Sequence, residues 1–237
     1  MIDPEVQELL TVQDRDTKKI RLEKELAAIP AKIDTLEGKK TAARDEFEEK
    51  KSTLRALEVR RKDLENELGS AETQVAKYKN QQLSVKKNEE YQALTHEIET
   101  TQTKISDLET QELEVMMEID EESERVKELE STLDGRLAAL DSEMAEIKEI
   151  ELNLKTELEQ VTTAYEDARG KASTKFIRAY DQAKRNLKNR PPFVAPIEDG
   201  MCRRSHLKVS QETIEDARVH GTPHFCDVTG CVIYIDT

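Results

Sequence analysis

Apolar side chains recur at alternating intervals of four and three residues through positions 22–78. Only three of the seventeen positions in this series are charged. A period of 3.5 residues keeps every member on one side of an α-helix that supercoils to the left, so the series predicts a coiled-coil seam. The seam consists of Leu22, Leu26, Ile29, Ile33, Leu36, Lys40, Ala43, Phe47, Lys50, Leu54, Leu57, Arg61, Leu64, Leu68, Ala71, Val75 and Tyr78.

A second seam of the same period follows the polar interruption KNQQLSVKKNEE. It is weaker than the first, because six of its twenty-three positions are polar. It consists of Tyr91, Leu94, Ile98, Thr101, Ile105, Leu108, Glu112, Val115, Ile119, Glu122, Val126, Leu129, Leu133, Arg136, Leu140, Glu143, Ile147, Ile150, Leu154, Glu157, Val161, Ala164 and Ala168.

Two comparable seams joined by a short connector favour an antiparallel hairpin within one chain, since a hairpin buries both apolar stripes without a partner. The alternative is one helix of ~160 residues in a parallel dimer, in which the interruption would have to stay helical. The hairpin predicts a mainly α fold with three parts. These are an antiparallel coiled-coil hairpin over residues 1–168 with its turn near 80–90, a connecting helix over 169–190, and a small α+β module that is zinc-ribbon-like over 191–237.

A turn near Ser84 and Val85 would set residue i opposite residue 169−i. That pairing brings Pro30 and Gly135 to about the same level of the hairpin. A helix-breaking proline opposite a flexible glycine predicts a shared bend near 30 and 135. The alternative is that Pro30 starts a new helix in its first turn.

The composition excludes a compact globule for most of the chain, with 37% charged and 4% aromatic residues and no Trp. No run approaches the eighteen or so apolar residues that span a bilayer. The opening MIDPEVQELL lacks the basic and apolar regions of an export signal. We therefore expect a cytoplasmic protein without membrane contacts. Three cysteines in such a chain do not predict a disulfide framework.

The net charge of −14 is unevenly divided. Residues 169–237, which we call the head, carry twelve Lys and Arg against eight Asp and Glu, so the preceding rod carries −18. An acidic rod repels a phosphate backbone, and nucleic acid could bind only at the head. The candidate residues for that contact are Lys184, Arg185, Lys188, Arg190, Arg203, Arg204 and Lys208.

The hairpin tip carries a basic spot on this acidic rod. Lys86 and Lys87 stand beside Asn88, Glu89 and Tyr91, and these five residues are the candidate contact for a protein partner. The structural alternative is that Asn88 caps the second helix and that Glu89 is favoured by the helix dipole.

In the head, the prolines of RPPFVAP end the connecting helix, whose apolar face carries Phe176, Ile177, Tyr180, Ala183 and Leu187. Strands are expected at 193–197, 207–209 and 231–235, and a small helix capped by Ser210 lies between the last two. So small a module has little core of its own, which is the situation in which proteins recruit zinc.

A tetrahedral zinc site is usually built from two C-x2-C turns. Here Cys202 is followed at that spacing by Ser205, and Cys226 by Thr229, so each turn lacks its second thiol. His206 and Cys231 could complete a Cys3His set, but only with wider loops than such a turn has. The alternative is a metal-free ribbon without any cofactor, and the paired loss of one thiol from each turn favours it.

The order of these features resembles the bacterial coiled-coil proteins with a C-terminal C4-type zinc ribbon, a family of unknown function that is sometimes labelled nucleic acid-binding. The resemblance is carried by LLTVQDRDTKKIRLEKELAAIP, VKKNEEYQALTHEIE, YDQAKRN and EDGMCRRSH…FCDVTGCVIY, which together span nearly the whole chain. It places Cys202 and Cys226 on the first and third zinc ligands, Ser205 and Thr229 on the second and fourth, and Cys231 on an arginine.

Members of that family are described as non-enzymatic adaptors linked to the alternative sigma factor RpoN and to flagellar or type III secretion components. The resemblance therefore implies that the coiled-coil surface and the tip bind protein partners. The residues themselves carry no nucleophile motif or phosphate-binding glycine loop, so we expect neither an enzyme nor a small-molecule substrate. The competing hypothesis is nucleic-acid binding by the head.

Overall fold

The computed structural model describes residues 2–219 and 221–235. Helix α1 spans Pro4–Gln82 and α2 spans Asn88–Lys171, and residues 83–87 connect them. Helices α3 (Thr174–Asn186) and α4 (Gln211–Asp216) lie in the head with five short strands. The mainly α fold with a long coiled-coil hairpin and a small C-terminal strand module is confirmed. None of the described helices is long and apolar enough to cross a membrane.

The chain divides into two compact units. Unit 1 contains residues up to 33 and from 144 onward, and unit 2 contains residues 34–143. Pro30 lies inside α1, which continues through it, so the idea that a new helix starts there is wrong. The bend near 30 and 135 stays a prediction.

Unit 2 is a pair of antiparallel helical segments packed along the two seams. One buried apolar cluster of unit 2 comprises Leu64 and Ala71 of α1 with Leu108 and Val115 of α2. These four residues are seam positions, as the 3.5-residue period requires. In unit 1, by contrast, the seam position Ile150 is 51% exposed.

Four of the charged residues at seam positions, Lys40, Lys50, Glu122 and Arg136, form ion pairs between the two helices. Lys40 pairs with Asp141, and Lys50 pairs with Glu122 over 3.5 Å between Nζ and Oε1. Arg136 reaches Glu46 at 3.4 Å. A long basic side chain at the seam can therefore keep its alkyl part on the apolar stripe and its charge beside a carboxylate of the other helix.

These pairs also correct the expected register. The 169−i rule sets Lys40 opposite residue 129 and Gln82 opposite residue 87, whereas Lys40 pairs with Asp141 and Gln82 donates to the Thr95 hydroxyl at 2.8 Å. The rule assumed a symmetric turn. Since the last residue of α1 meets a residue seven positions into α2, about two turns of α2 run beyond the end of α1 at the tip.

In unit 1, the N-terminal part of α1, the C-terminal part of α2 and α3 share a core with the sheet. Its most buried members are Leu9, Val12, Phe176, Tyr180 and Phe193. The Tyr180 and Phe193 rings meet edge to face with centroids 5.4 Å apart. The small module thus gains the core it lacks by itself from the helices.

The sheet has the strand order β3-β2-β1-β5-β4. Only β1 and β5 pair in parallel, with Val194 beside Val232, and the other neighbours are antiparallel. The expected capping of α4 is confirmed, since the Ser210 hydroxyl accepts from the Thr213 amide at 3.1 Å. The two-residue strands β2 and β4 escaped the sequence pattern. The strands are β1 (Val194–Glu198), β2 (Met201–Cys202), β3 (Leu207–Lys208), β4 (His224–Phe225) and β5 (Val232–Ile235).

Two polar side chains of α1 bind the head, Gln13 at the start of β1 and Asp16 on α3. The Gln13 carbonyl oxygen accepts from the Phe193 amide at 2.6 Å and from the Val194 amide at 2.5 Å, and its amide nitrogen donates to the Val194 carbonyl at 3.0 Å. Asp16 is fully buried and accepts from the Tyr180 hydroxyl at 2.8 Å and from Lys184 Nζ at 2.7 Å. The Gln13 side chain therefore forms the hydrogen bonds with the backbone at the start of β1 that a neighbouring strand would otherwise form.

Candidate functional site

The three cysteines come together in the head. Cys202 ends β2, Cys226 follows β4 and Cys231 precedes β5, and all three are buried and not joined by a disulfide. Their sulfur atoms lie within 4.8 Å of one another, with 3.7 Å between those of Cys202 and Cys231. Cys202 lies on β2 and Cys231 immediately before β5, and these two strands pair with opposite edges of β1.

The chain makes the same turn after the first and second cysteines. The His206 amide donates to the Cys202 carbonyl at 2.8 Å, and the Gly230 amide donates to the Cys226 carbonyl at 2.7 Å. Gly230 has a φ of +68°, and a Cβ atom there would lie 2.8 Å from Nδ2 of Asn186. The segments 202–206 and 226–230 therefore share one turn geometry, with Ser205 and Thr229 at the third position after each cysteine.

The hydroxyls that replace those thiols face the remaining sulfurs. The Thr229 hydroxyl donates to the Cys231 sulfur at 3.2 Å, and the Cys226 thiol lies 3.8 Å from the Ser205 oxygen. His206 is exposed and does not belong to the cysteine group, so the Cys3His arrangement is not assembled among the described residues.

A C4 zinc site needs four thiolates at about 2.3 Å from the ion. This chain offers three thiols and two neutral hydroxyls, which are poor zinc ligands. The residues present therefore do not fit the C4 set that the resemblance implies. The three cysteines are part of a small buried cluster with Ala195, Ile197 and Ile233.

Two of the thiols differ in acidity. Burial alone would raise the pKa of Cys226, but hydrogen bonds from the Thr229 hydroxyl, from the amides of Val228 and Thr229 and from the Ser205 hydroxyl outweigh it and lower the pKa to about 7. Burial raises the pKa of Cys231 to about 12. At neutral pH, Cys226 is thus the more acidic thiol of the two.

The five candidate residues of the tip are all exposed. Lys87 pairs with Glu90 at 3.2 Å, and Tyr91 is 49% exposed. The sequence reading missed Leu83, which is 88% exposed at the end of α1. In the sequence, only the position of Leu83 outside both seams indicates that its side chain is exposed. Basic and apolar groups therefore stand together on the tip.

The seven basic candidates of the head divide into two groups. Lys184 binds the buried Asp16, and Arg203 pairs with Glu198, so these two serve the structure. The other five form no ion pair within the described residues, and they fall at the end of α3 and around the hairpin of β2 and β3. They are Arg185, Lys188, Arg190, Arg204 and Lys208.

Comparison with known proteins places the fold. The sequence profile of the CT398-like coiled coil hairpin domain matches residues 12–188. The structure is similar to CT398 from Chlamydia trachomatis, with a TM-score of 0.82 and 23% identity over 98% of both chains. It is also similar to the HP0958 protein from Helicobacter pylori, with a TM-score of 0.63 and 16% identity over 100% of this chain and 99% of that one.

A protein from Mycobacterium smegmatis shares the fold at a TM-score of 0.51 and 19% identity over the whole of both chains. No curated protein sequence matches this chain. At these identities the solved structures establish a common fold. The profile covers most of the sequence, and the chain therefore belongs to the CT398-like coiled-coil hairpin family.

Proposed function

We propose that this chain is a cytoplasmic, non-enzymatic adaptor that binds protein partners through the surface of its coiled-coil hairpin. The main contact is the tip, which we define as residues 83–91, and the head is a second contact. The partners suggested by the family resemblance are RpoN and flagellar or secretion components.

The observation that carries this proposal is the exposure of apolar side chains at the tip. Leu83 is 88% exposed and Tyr91 49%, and Lys86 and Lys87 lie between them. Aromatic and apolar side chains that make no core contact are typical of binding surfaces, and the flanking charges set the orientation of the partner.

The test measures binding of purified RpoN, and separately of purified flagellar or type III secretion components, to immobilised full-length protein. The tip variant combines Leu83→Ser, Lys86→Glu, Lys87→Glu and Tyr91→Ser. The control makes the same kinds of change elsewhere on α2, at exposed positions, with Ile150→Ser, Leu152→Ser, Lys148→Glu and Lys155→Glu.

We expect the tip variant to lose at least about tenfold in affinity, since a few central residues dominate most interfaces, while the control stays within about twofold. Unchanged binding after both the tip and the exposed basic residues of the head are altered would overturn the proposal.

A second candidate is nucleic-acid binding by the head, which is supported by the five basic residues named above that form no ion pair among residues 2–219 and 221–235. It requires that affinity for RNA or DNA fall steeply as salt rises and that Lys188→Glu with Arg190→Glu abolish it. Binding that is insensitive to salt would exclude this function.

A further inference from the structure

Helix α2 carries a strip of apolar side chains on the face opposite its seam. Leu113, Met116 and Met117 are 62%, 40% and 68% exposed. Their spacing of three and four residues places them on one face of the helix, whereas Leu108 and Val115 point into the seam and are buried. The coiled coil itself therefore does not use these three side chains.

The strip lies in the most acidic part of the helix. Residues 105–124 contain nine Asp and Glu and no Lys or Arg. Glu109 precedes Leu113 by one turn, Asp120 follows Met116 by one turn, and Glu121 follows Met117 by one turn. All three acidic side chains are exposed, so they frame the apolar strip along its own face.

Few of these charges are neutralised by the protein. Glu109, Glu114 and Glu118 form no ion pair within the part of the chain that the structure describes, and Glu121 lies 3.7 Å from Arg125. On α1, Arg61 and Lys62 are already engaged with Glu65 of their own helix. The strip, defined as Leu113, Met116 and Met117 with Glu109, Asp120 and Glu121, thus combines exposed apolar area with negative charge that the ion pair of Glu121 with Arg125 compensates only in part.

We infer that this strip is a docking site for a basic amphipathic helix of a partner protein. Such a helix would place apolar residues, three and four positions apart, on Leu113 and the two methionines. Its Lys or Arg side chains would reach the framing carboxylates. Methionine suits this role because its flexible thioether adapts to different apolar partners.

Charge argues against the other occupants. Two copies of this chain docked through the same strip would bring like charges together, which is unfavourable. An anionic membrane surface would repel the strip for the same reason. The inference rests on the proposed adaptor function in one respect, which is that the occupant is a protein. The variants change the strip and the tip separately, so each site is tested by itself.

The probe is a fluorescein-labelled synthetic 18-residue peptide of Leu and Lys with Leu at i, i+3, i+4 and i+7, titrated with full-length protein by fluorescence anisotropy. A peptide of the same composition in scrambled order controls for attraction to the acidic surface as a whole. A peptide with Glu in place of Lys controls for apolar adhesion alone.

Two strip variants separate the two contributions. Leu113→Gln, Met116→Gln and Met117→Gln remove the apolar surface but keep the charge. Glu109→Gln, Asp120→Asn and Glu121→Gln do the reverse. Ile150→Gln with Leu152→Gln is the matched control, because these residues are 51% and 64% exposed on the same helix. All of these positions are on the surface, and circular dichroism verifies that each variant remains helical.

We expect the ordered Leu/Lys peptide to bind wild type at least about tenfold more tightly than the scrambled one, since only the ordered peptide forms an apolar face. The apolar variant should lose that advantage, the charge variant should lose most of the salt dependence, and the control should stay within about twofold. The tip variant should bind the peptide as wild type does.

Equal binding of the ordered and scrambled peptides, or an unchanged affinity in the apolar variant, would overturn the inference. So would a dimer in sedimentation equilibrium that the apolar variant abolishes, since the occupant would then be a second copy. RpoN binding by the tip variant tests only the proposed function, and peptide binding by the strip variants tests only this inference. Failure of one can therefore be distinguished from failure of the other.

Discussion

Replacing Asp16 should release the head from the helices. Its carboxylate is fully buried and accepts hydrogen bonds from Tyr180 and Lys184. Breaking a buried ion pair by removing one partner costs about 3–5 kcal/mol. The Lys184 side chain is 25% exposed and can reach water. We therefore expect Asp16→Ala to lower the free energy of unfolding of the head by about 2–4 kcal/mol.

The amides of Phe193 and Val194 provide the readout, because both donate to Gln13 on α1 and exchange slowly only while the head is docked. The expected cost corresponds to a roughly 30- to 700-fold loss of protection in hydrogen exchange. Mass spectrometry of the peptide covering 187–198 measures it, and peptides of unit 2 provide the internal reference.

Asp14→Ala is the matched control. Asp14 lies two residues away, its side chain is 73% exposed, and its contact with Arg15 is 3.6 Å long. Exchange should change by less than about threefold, since exposed pairs contribute about 0–1 kcal/mol. If Asp16→Ala behaved like Asp14→Ala, the buried network would not hold the head. A double variant with Lys184→Met should lose less than the sum of the single variants, because the buried charge is then removed with its partner.

Three further results are expected. We propose that the head needs no metal: freshly purified protein should contain well under about 0.1 equivalent of zinc and should give three titratable thiols in denaturant, and one equivalent of zinc would contradict this. The hydrogen bonds from Arg169 lower the pKa of Asp181 despite its partial burial. That carboxylate therefore adds stability above about pH 4, the pKa of an unfolded Asp, and the stability is lost as the pH falls through its lower folded value. Urea titrations should show Asp181→Asn about 1 kcal/mol less stable than wild type at pH 7, with the difference vanishing near pH 2, and a gap independent of pH would refute the ion pair. Gly230→Ala should cost about 1–2 kcal/mol, because alanine is strained at a φ of +68° and would meet Asn186, and an equally stable variant would show that the turn relaxes.

The sequence predicts the hairpin because burial repeats with a single period over long stretches. Leu22, Ile29, Leu36 and Ala43 are spaced seven residues apart, and all are nearly fully buried. Such a pattern depends only on helix geometry, so it can be read without knowing the partner surface. The register between the two helices cannot be predicted from this pattern, because it depends on how far α2 runs beyond the end of α1 at the tip.

Contacts between distant parts of the chain account for most of what the sequence did not predict. Gln13 and Asp16 carry no motif, and their partners are more than 160 residues away. The sequence suggested Lys184 as a nucleic-acid contact, because it does not reveal that Lys184 forms an ion pair with the buried carboxylate of Asp16. Cys231 was a candidate ligand. Whether its sulfur lies near those of Cys202 and Cys226 depends on the face of the sheet to which its side chain points, and strand pairing determines that face.

The most direct test of the hairpin is zero-length crosslinking of the natural protein. Carbodiimide joins Lys40 to Asp141 if both belong to one folded chain, because the two side chains form an ion pair in unit 2. Chains labelled with 14N and 15N are mixed, refolded together and crosslinked. We expect the Lys40–Asp141 crosslink only in peptides of uniform isotope content. Crosslinked peptides that combine 14N and 15N would contradict the account, since the seams would then be buried between chains.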